Sequence, residues 1–169
     1  MIWILAGLFV FFGVYYLIPL VAKSVMRKQF FTTIRATTCA SLTFDDGPDS
    51  IATPLILNLL GKAGVKATFF VLGRNVKGKE DLVLRMIKEG HEVGEHSLNH
   101  HNALKSAPWT TYRDLLSGAK VLDDLGIPQI GRLFRPPFGK LNFVSLIYIL
   151  AGRRKVVFWD NDPRDYAKD

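Results

Sequence analysis

Two stretches of this chain hold residue types that can do chemistry: Asp45 and Asp46 in "SLTFDDGPDS", and His96 and His100 in "HSLNH". Adjacent like charges raise each other's pKa unless a cation or hydrogen-bond donors neutralise them, so a bound metal would resolve the conflict between the two aspartates. On a helical turn, residues four apart share a face with Cβ atoms about 5–6 Å apart, close enough for His96 and His100 to clamp one ion. Adding one carboxylate gives a His₂Asp site with open positions for water and substrate, the arrangement of a catalytic rather than a closed structural zinc. Alone, such a histidine pair is weak evidence, since most are surface or core residues; beside a D-D-G-P strand end it becomes strong. His101 is off the face of the pair and His91 sits where a helix hands over to a strand, so both read as structural. Glu95 reads as an extra ligand, as a partner behind a ligand or, more plainly, as a strand-end surface acid.

The elements that must position these residues alternate in type. "CASLTF", "KATFFVLG", "HEVGEH", "RLFRPP" and "RKVVFWD" read as strands, and "TPLILNLLGKAG", "KEDLVLRMIKEG", "PWTTYRDLLSGAKVLDDLG" and "NFVSLIYILAG" as helices between them. Repeated βα units predict a parallel sheet or barrel of the α/β class. In such folds ligand chemistry gathers at the carboxyl ends of the strands. The polar clusters fall there: Asp45 and Asp46, then "HSLNH", "RPPFG" from Arg135 to Gly139, and "WDNDPRDY".

"TFDDGP", "HSLNH" and "RPPFG", in this order, resemble three motifs of the polysaccharide deacetylases, the NodB-homology group or carbohydrate esterase family 4. "ATFFVLG" and "GHEVGEHSLNHHNAL" extend the likeness over roughly Thr38 to Asp169. The resemblance implies a distorted (β/α) barrel and metal-dependent removal of N-acetyl groups from amino sugars in cell-envelope glycan or chitin-like oligosaccharides. Asp46, His96 and His100 would bind the metal, zinc by preference with cobalt or manganese as alternatives. Asp45 would be the general base and Arg135 the arginine that orients it, while Pro136, Pro137 and Phe138 would shape the wall of the substrate groove. "DPRDY" resembles a fourth motif, D-x-x-D-W, with Asp162 as a catalytic aspartate and Tyr166 standing where Trp is usual. The family's fifth motif, L-x-H, would follow with a histidine acting as general acid; none of the four histidines lies after the fourth motif. Such an acid contributes roughly 10²–10⁴ in rate. The expectation is a chain incomplete at its C-terminal end, with a degenerate, non-catalytic sugar-binding form as the alternative.

Residues 1–22, "MIWILAGLFVFFGVYYLIPLVA", carry no charge and as a helix would span roughly 30 Å, enough to cross a bilayer. They read as a single transmembrane anchor, with a cleaved signal peptide as the competing reading and a buried core helix as the weakest. Residues 23–37 read as a basic juxtamembrane linker and 38–169 as the deacetylase domain. Lys23, Arg27, Lys28 and Arg35 precede any acidic residue, a bias that favours a cytoplasmic flank and a lipid-linked sugar as substrate. A whole domain behind one anchor can still be exported, which favours envelope glycan on the extracytoplasmic side; the side stays open. The net charge of +7 suits an anionic lipid surface or acidic polymer as well as a merely solvated basic surface. Nucleic acid is a poor partner, because no basic helix, zinc-finger spacing or aromatic RNA-binding pattern accompanies the charge. Cys39 is alone, so no internal disulfide forms.

Overall fold

The computed structural model describes residues 2–37, 40–126 and 133–162. Among them five strands form one parallel sheet in the order β1 to β5: β1 Leu42–Gly47, β2 Ala67–Val71, β3 Glu92–Glu95, β4 Leu133–Phe134 and β5 Lys155–Val156. Consecutive order with helical crossovers is the winding of a (β/α) barrel, not of a sheet whose strand order reverses.

Each predicted helix forms. Helix α3 (Ala52–Ala63) ends on Gly64 in the left-handed region (φ 66), where a Cβ would be penalised. A short turn of helix, α4 (Gly73–Val76), follows β2; α5 (Glu80–Lys88) precedes β3, α6 (Pro108–Asp123) links β3 to β4, and α7 (Phe143–Ala151) links β4 to β5. Helix α7 starts at a reciprocal cap: the Asn142 side chain accepts from the Ser145 amide, and the Ser145 hydroxyl faces the Asn142 amide.

Strand periodicity sorts the core. Phe44, Phe69 and Val93 face the helices, where Leu57, Leu60, Val83, Met86 and Leu122 bury them. A second cluster joins Leu115 and Ala119 of α6 with Phe134, Leu141, Tyr148 and Ile149. Each fully buried side chain of this size contributes about 1.5–3 kcal/mol. Thr43, Asp45, Phe70 and Arg135 are the alternating residues and meet on the opposite face, where Arg135 lies over the Phe70 ring.

The N-terminal segment is a continuous 34-residue helix from Ile2 to Arg35, long and apolar enough to cross a membrane. It comprises α1 (Ile2–Phe12), one wide π-helical turn (Gly13–Leu17) and α2 (Ile18–Arg35). Pro19 cannot donate to the carbonyl of Tyr15 and its ring crowds that carbonyl; the helix widens over this turn, with the Ile18 amide bonding Gly13. The segment read as a basic linker, residues 23–37, continues the helix to Arg35, because no glycine or proline interrupts it. This part also packs on the domain: Met26 lies against the second cluster and Phe30 against Phe158.

Candidate metal and catalytic site

Regular alternation would send Asp45 and Asp46 to opposite faces of β1. Asp45 keeps the alternation and turns to Arg135, but at Asp46 the pairing with β2 slips: Asp45 pairs with Phe70 and Gly47 with Val71, leaving Asp46 as an extra residue with φ 66. This bulge redirects the second carboxylate to the rim. The Asn75 side chain donates to the Asp46 carbonyl (2.7 Å) and holds the turn.

The histidines do not sit on a helical turn as their spacing suggested. Residues 96–100 form a loop in which Ser97 (φ 69) and His100 (φ 63) are left-handed, and these two reversals bring the rings within 4.9 Å. The loop is fixed from several sides. Asp114 of α6 accepts from the Asn99 amide (2.9 Å) and side chain (3.0 Å), and its carbonyl accepts from the Leu98 amide. The Ser97 hydroxyl accepts from the His100 amide, and the Ser97 and Leu98 carbonyls accept from Gly73 and Arg74. Helix α6 approaches so closely at Gly118 that a Cβ there would lie 2.6 Å from the Ser97 backbone carbon.

The result is a compact donor set. Asp46 Oδ1 lies 3.6 Å from His96 Nε2 and 3.5 Å from His100 Nε2. Those separations are long for hydrogen bonds and close to the edge of about 3.3 Å expected for ligands on a tetrahedral zinc at 2.0–2.1 Å. His96 is buried, and its Nδ1 lies 2.6 Å from the Arg135 carbonyl. That carbonyl can only accept, so Nδ1 carries the proton and Nε2 offers a lone pair toward Asp46. Burial pushes the His96 pKa down, which favours the same neutral ring. The three residues fit a divalent cation.

Beside them stands a carboxylate–arginine pair. Arg135 is 2 % exposed and donates from Nη1 to Asp45 Oδ1 (2.7 Å) and Thr43 Oγ1 (2.8 Å), and from Nη2 to the Phe158 carbonyl (3.2 Å). Burial lowers its pKa and Asp45 opposes the shift; a guanidinium stays charged throughout. Trp159, which the motifs do not cover, completes the pocket of Arg135 at 5.5 Å and lies against Gly139. Asp45 thus presents a carboxylate fixed from behind and open in front.

Phe138, exposed and in the left-handed region (φ 55), packs its ring 4.5 Å from His100. Pro136 and Pro137 are buried in the turn that presents it, so of the three expected groove residues only Phe138 offers open surface. Asp162 is exposed at the edge of the described residues, and Tyr166 lies outside them.

Glu95 is neither a surface acid nor a member of the donor set. It is 3 % exposed, accepts a short hydrogen bond from Tyr148 and bonds Arg154 Nε (2.8 Å). Burial raises its pKa, and both donors work against that rise. His91 is buried with Nδ1 accepting from the Ala67 amide (3.2 Å), and His101 stands 3.5 Å from Asp114; neither belongs to the Asp46–His96–His100 donor set. Sequence spacing gave no signal for Thr43, Asn75 or Asp114, because each acts across 15 or more residues on a loop whose path is set by packing.

The family described as polysaccharide deacetylase matches residues 34–149. A peptidoglycan-N-acetylglucosamine deacetylase of Bacillus cereus is 40 % identical over 129 residues, covering 75 % of this chain and 60 % of that protein. A chitooligosaccharide deacetylase of Bradyrhizobium is 32 % identical over 151 residues, covering 89 % of this chain and 67 % of its own. The structure of peptidoglycan deacetylase PdaC from Bacillus subtilis superposes with a TM-score of 0.67 at 34 % identity, covering 75 % of this chain and 60 % of that one. The chain therefore spans about 60 % of the length of two of these three proteins. With a family match over most of its described domain and a shared parallel βα architecture, the chain belongs to the polysaccharide deacetylase family.

Proposed function

We propose that this chain is a membrane-anchored, metal-dependent N-deacetylase that hydrolyses the acetamide of amino sugars in cell-envelope glycan or chitin-like oligosaccharides. The observation that carries this reading is the juxtaposition of the Asp46–His96–His100 donor set with the Arg135-held carboxylate of Asp45. The peptidoglycan and chitooligosaccharide deacetylases among its relatives support the substrate class. Residues 1–22 would be the anchor and 38–169 the deacetylase domain.

A divalent cation, zinc by preference, would be held by Asp46, His96 and His100, and when bound it supplies Lewis acidity that lowers the pKa of a water toward about 7. Asp45 takes the proton from the attacking water, and Arg135 aims that carboxylate. The backbone carbonyl of Arg135 holds His96 in the tautomer that ligates, so one residue orients both the base and a ligand. Phe138 offers an apolar surface to a sugar ring beside the reacting amide.

The test is acetate release from N-acetylglucosamine oligomers by the purified chain with and without zinc, with bound metal measured in parallel. Asp46→Ala and His96→Ala should lose metal, whereas Asp45→Asn should keep metal and lose turnover. Equal metal loss in all three would remove Asp45 from its role as base. Metal retention without turnover in the unmutated chain would leave a sugar-binding site in place of an enzyme.

A further inference from the structure

We propose that Leu104, Trp109 and Tyr112 rest on the phospholipid surface beside the point where α1 enters it, holding the metal-site rim of the domain close to the bilayer. The inference rests on reading the N-terminal segment as a membrane anchor and assigns to the lipid only the part before Tyr15, since Tyr15 and Pro19 are covered by the domain.

The placement follows from one buried amide. Asn142, fully buried at the start of α7, brings its Nδ2 to 2.8 Å from the Tyr15 hydroxyl, 2.8 Å from the Ala103 carbonyl and 2.9 Å from the Thr111 hydroxyl. Tyr15 belongs to the uncharged segment, yet it is 5 % exposed because the domain covers it. Read backward along the chain, the N-terminal helix touches Phe158 through Phe30, the α6–α7 cluster through Met26 and Asn142 through Tyr15. Phe30 and Tyr15 are about 22 Å apart along the axis. The helix thus crosses the domain from β5 toward the first turn of α6. There it departs: α1, from Ile2 to Phe12, buries no residue against the domain.

The residues next to this departure point are the wrong kind for open water. Leu104 follows Ala103, and Trp109 and Tyr112, three apart at the start of α6, lie two residues before and one after Thr111; these three are 39 %, 66 % and 55 % exposed. Scattered exposed apolar residues are ordinary on soluble domains. Here they lie on the two segments that meet Tyr15 through Asn142, and two of them are the amphipathic aromatics that concentrate at the headgroup level of membranes. The charge of the neighbourhood agrees. No acidic residue occurs from His96 to Arg113 or from Met1 to Phe44, while Lys105 and Arg113 are exposed beside Leu104 and Tyr112. A basic, aromatic rim matches anionic headgroups better than it matches a protein partner.

The functional consequence lies in the loop between the site and this rim. His100 and Leu104 are joined by no more than about 14 Å of chain. The metal-site histidine therefore stands near the lipid surface, and the glycan that reaches it is one held close to the membrane, on whichever side the domain lies.

Two single-tryptophan chains in phosphatidylcholine–phosphatidylglycerol vesicles with brominated acyl chains test this. One keeps Trp109 (Trp3→Phe with Trp159→Phe) and the other keeps Trp3 (Trp109→Phe with Trp159→Phe). Both should lose most of their emission relative to unbrominated vesicles, and Leu104→Ser with Tyr112→Ser should restore the emission of Trp109 but not that of Trp3. Quenching of Trp3 without Trp109 would overturn the docking and leave the anchor standing. Quenching of neither would overturn both.

Discussion

Two carboxylate–arginine pairs stand at strand ends of this sheet, and they are built the opposite way round. In Asp45–Arg135 the arginine side chain is 3 % exposed and the carboxylate 35 % exposed; in Glu95–Arg154 the carboxylate is 4 % exposed and the arginine 16 %. A carboxylate that faces outward with its cation behind it can exchange a proton with water. One that is enclosed by Tyr148 and Arg154 cannot, and its task is to fix the end of β3 one residue before His96. The same two residue types give an open carboxylate in one place and an enclosed joint in the other, and burial of the acid decides which.

The sharpest way to break this comparison is at the outward acid. Asp45→Asn keeps the shape and removes the base, so turnover should fall roughly 10²–10⁴-fold with bound zinc unchanged. Steady-state kinetics beside metal analysis would show it, and a loss below tenfold would mean that Asp45 is not the base. At the inward pair the effect should appear in stability. Arg154→Met leaves Glu95 enclosed without its cation and should cost about 3–5 kcal/mol in denaturant unfolding, much of it recovered when Glu95→Gln is added. Failure of the second change to rescue would argue that Arg154 matters through its stacking on Tyr148 instead.

A smaller loss is expected where the histidine loop meets α6. Gly118→Ala would place a Cβ 2.6 Å from backbone, and such overpacking costs about 1–3 kcal/mol. Because the loop carries His96 and His100, zinc affinity should fall with it, as isothermal titration would report; unchanged affinity would show that the loop can shift without disturbing the ligands. The smallest effect concerns Asp49, a carboxylate with no arginine. The amides of Ala52 and Ile51 hold its pKa below the ordinary 3.8. Its contribution is present above that ordinary value and disappears as pH falls through the depressed one. Asp49→Asn should therefore leave a folded protein whose stability falls less steeply in that acid window, measured by thermal unfolding against pH. An unchanged slope would remove Asp49 from the joint between β1 and α3.

Much of the fold was legible because periodicity survives in short windows. "ATFFV" and "KEDLVLRMIKEG" show which residues face the helices and which the sheet, and both elements form where expected. Basic character marked residues 23–37 as a linker but gave no sign of its conformation, because helix continuity depends on the absence of breakers. The site residues were legible by type and order, yet the geometry that unites them was not. A helical turn for the histidines was the wrong inference, since two left-handed residues do the work of the turn. Glu95 looked like a surface acid because its partners, Tyr148 and Arg154, are 53 and 59 residues away.

The sequence by itself determined the alternation of strand and helix, the uncharged N-terminal segment and the residue types that can bind a cation and move a proton. These follow from local chemistry: side-chain period, charge and the donor set of each residue. Only the tertiary structure decided that a bulge turns Asp46 away from the face it would otherwise share with Phe44, that Arg135 serves Asp45 with its side chain and His96 with its carbonyl, and that Tyr15 is tied to Asn142. The physical reason is burial. Whether a carboxylate, an amide or an arginine is a reactive group or a joint depends on which distant residues exclude water from it, and that is settled by packing.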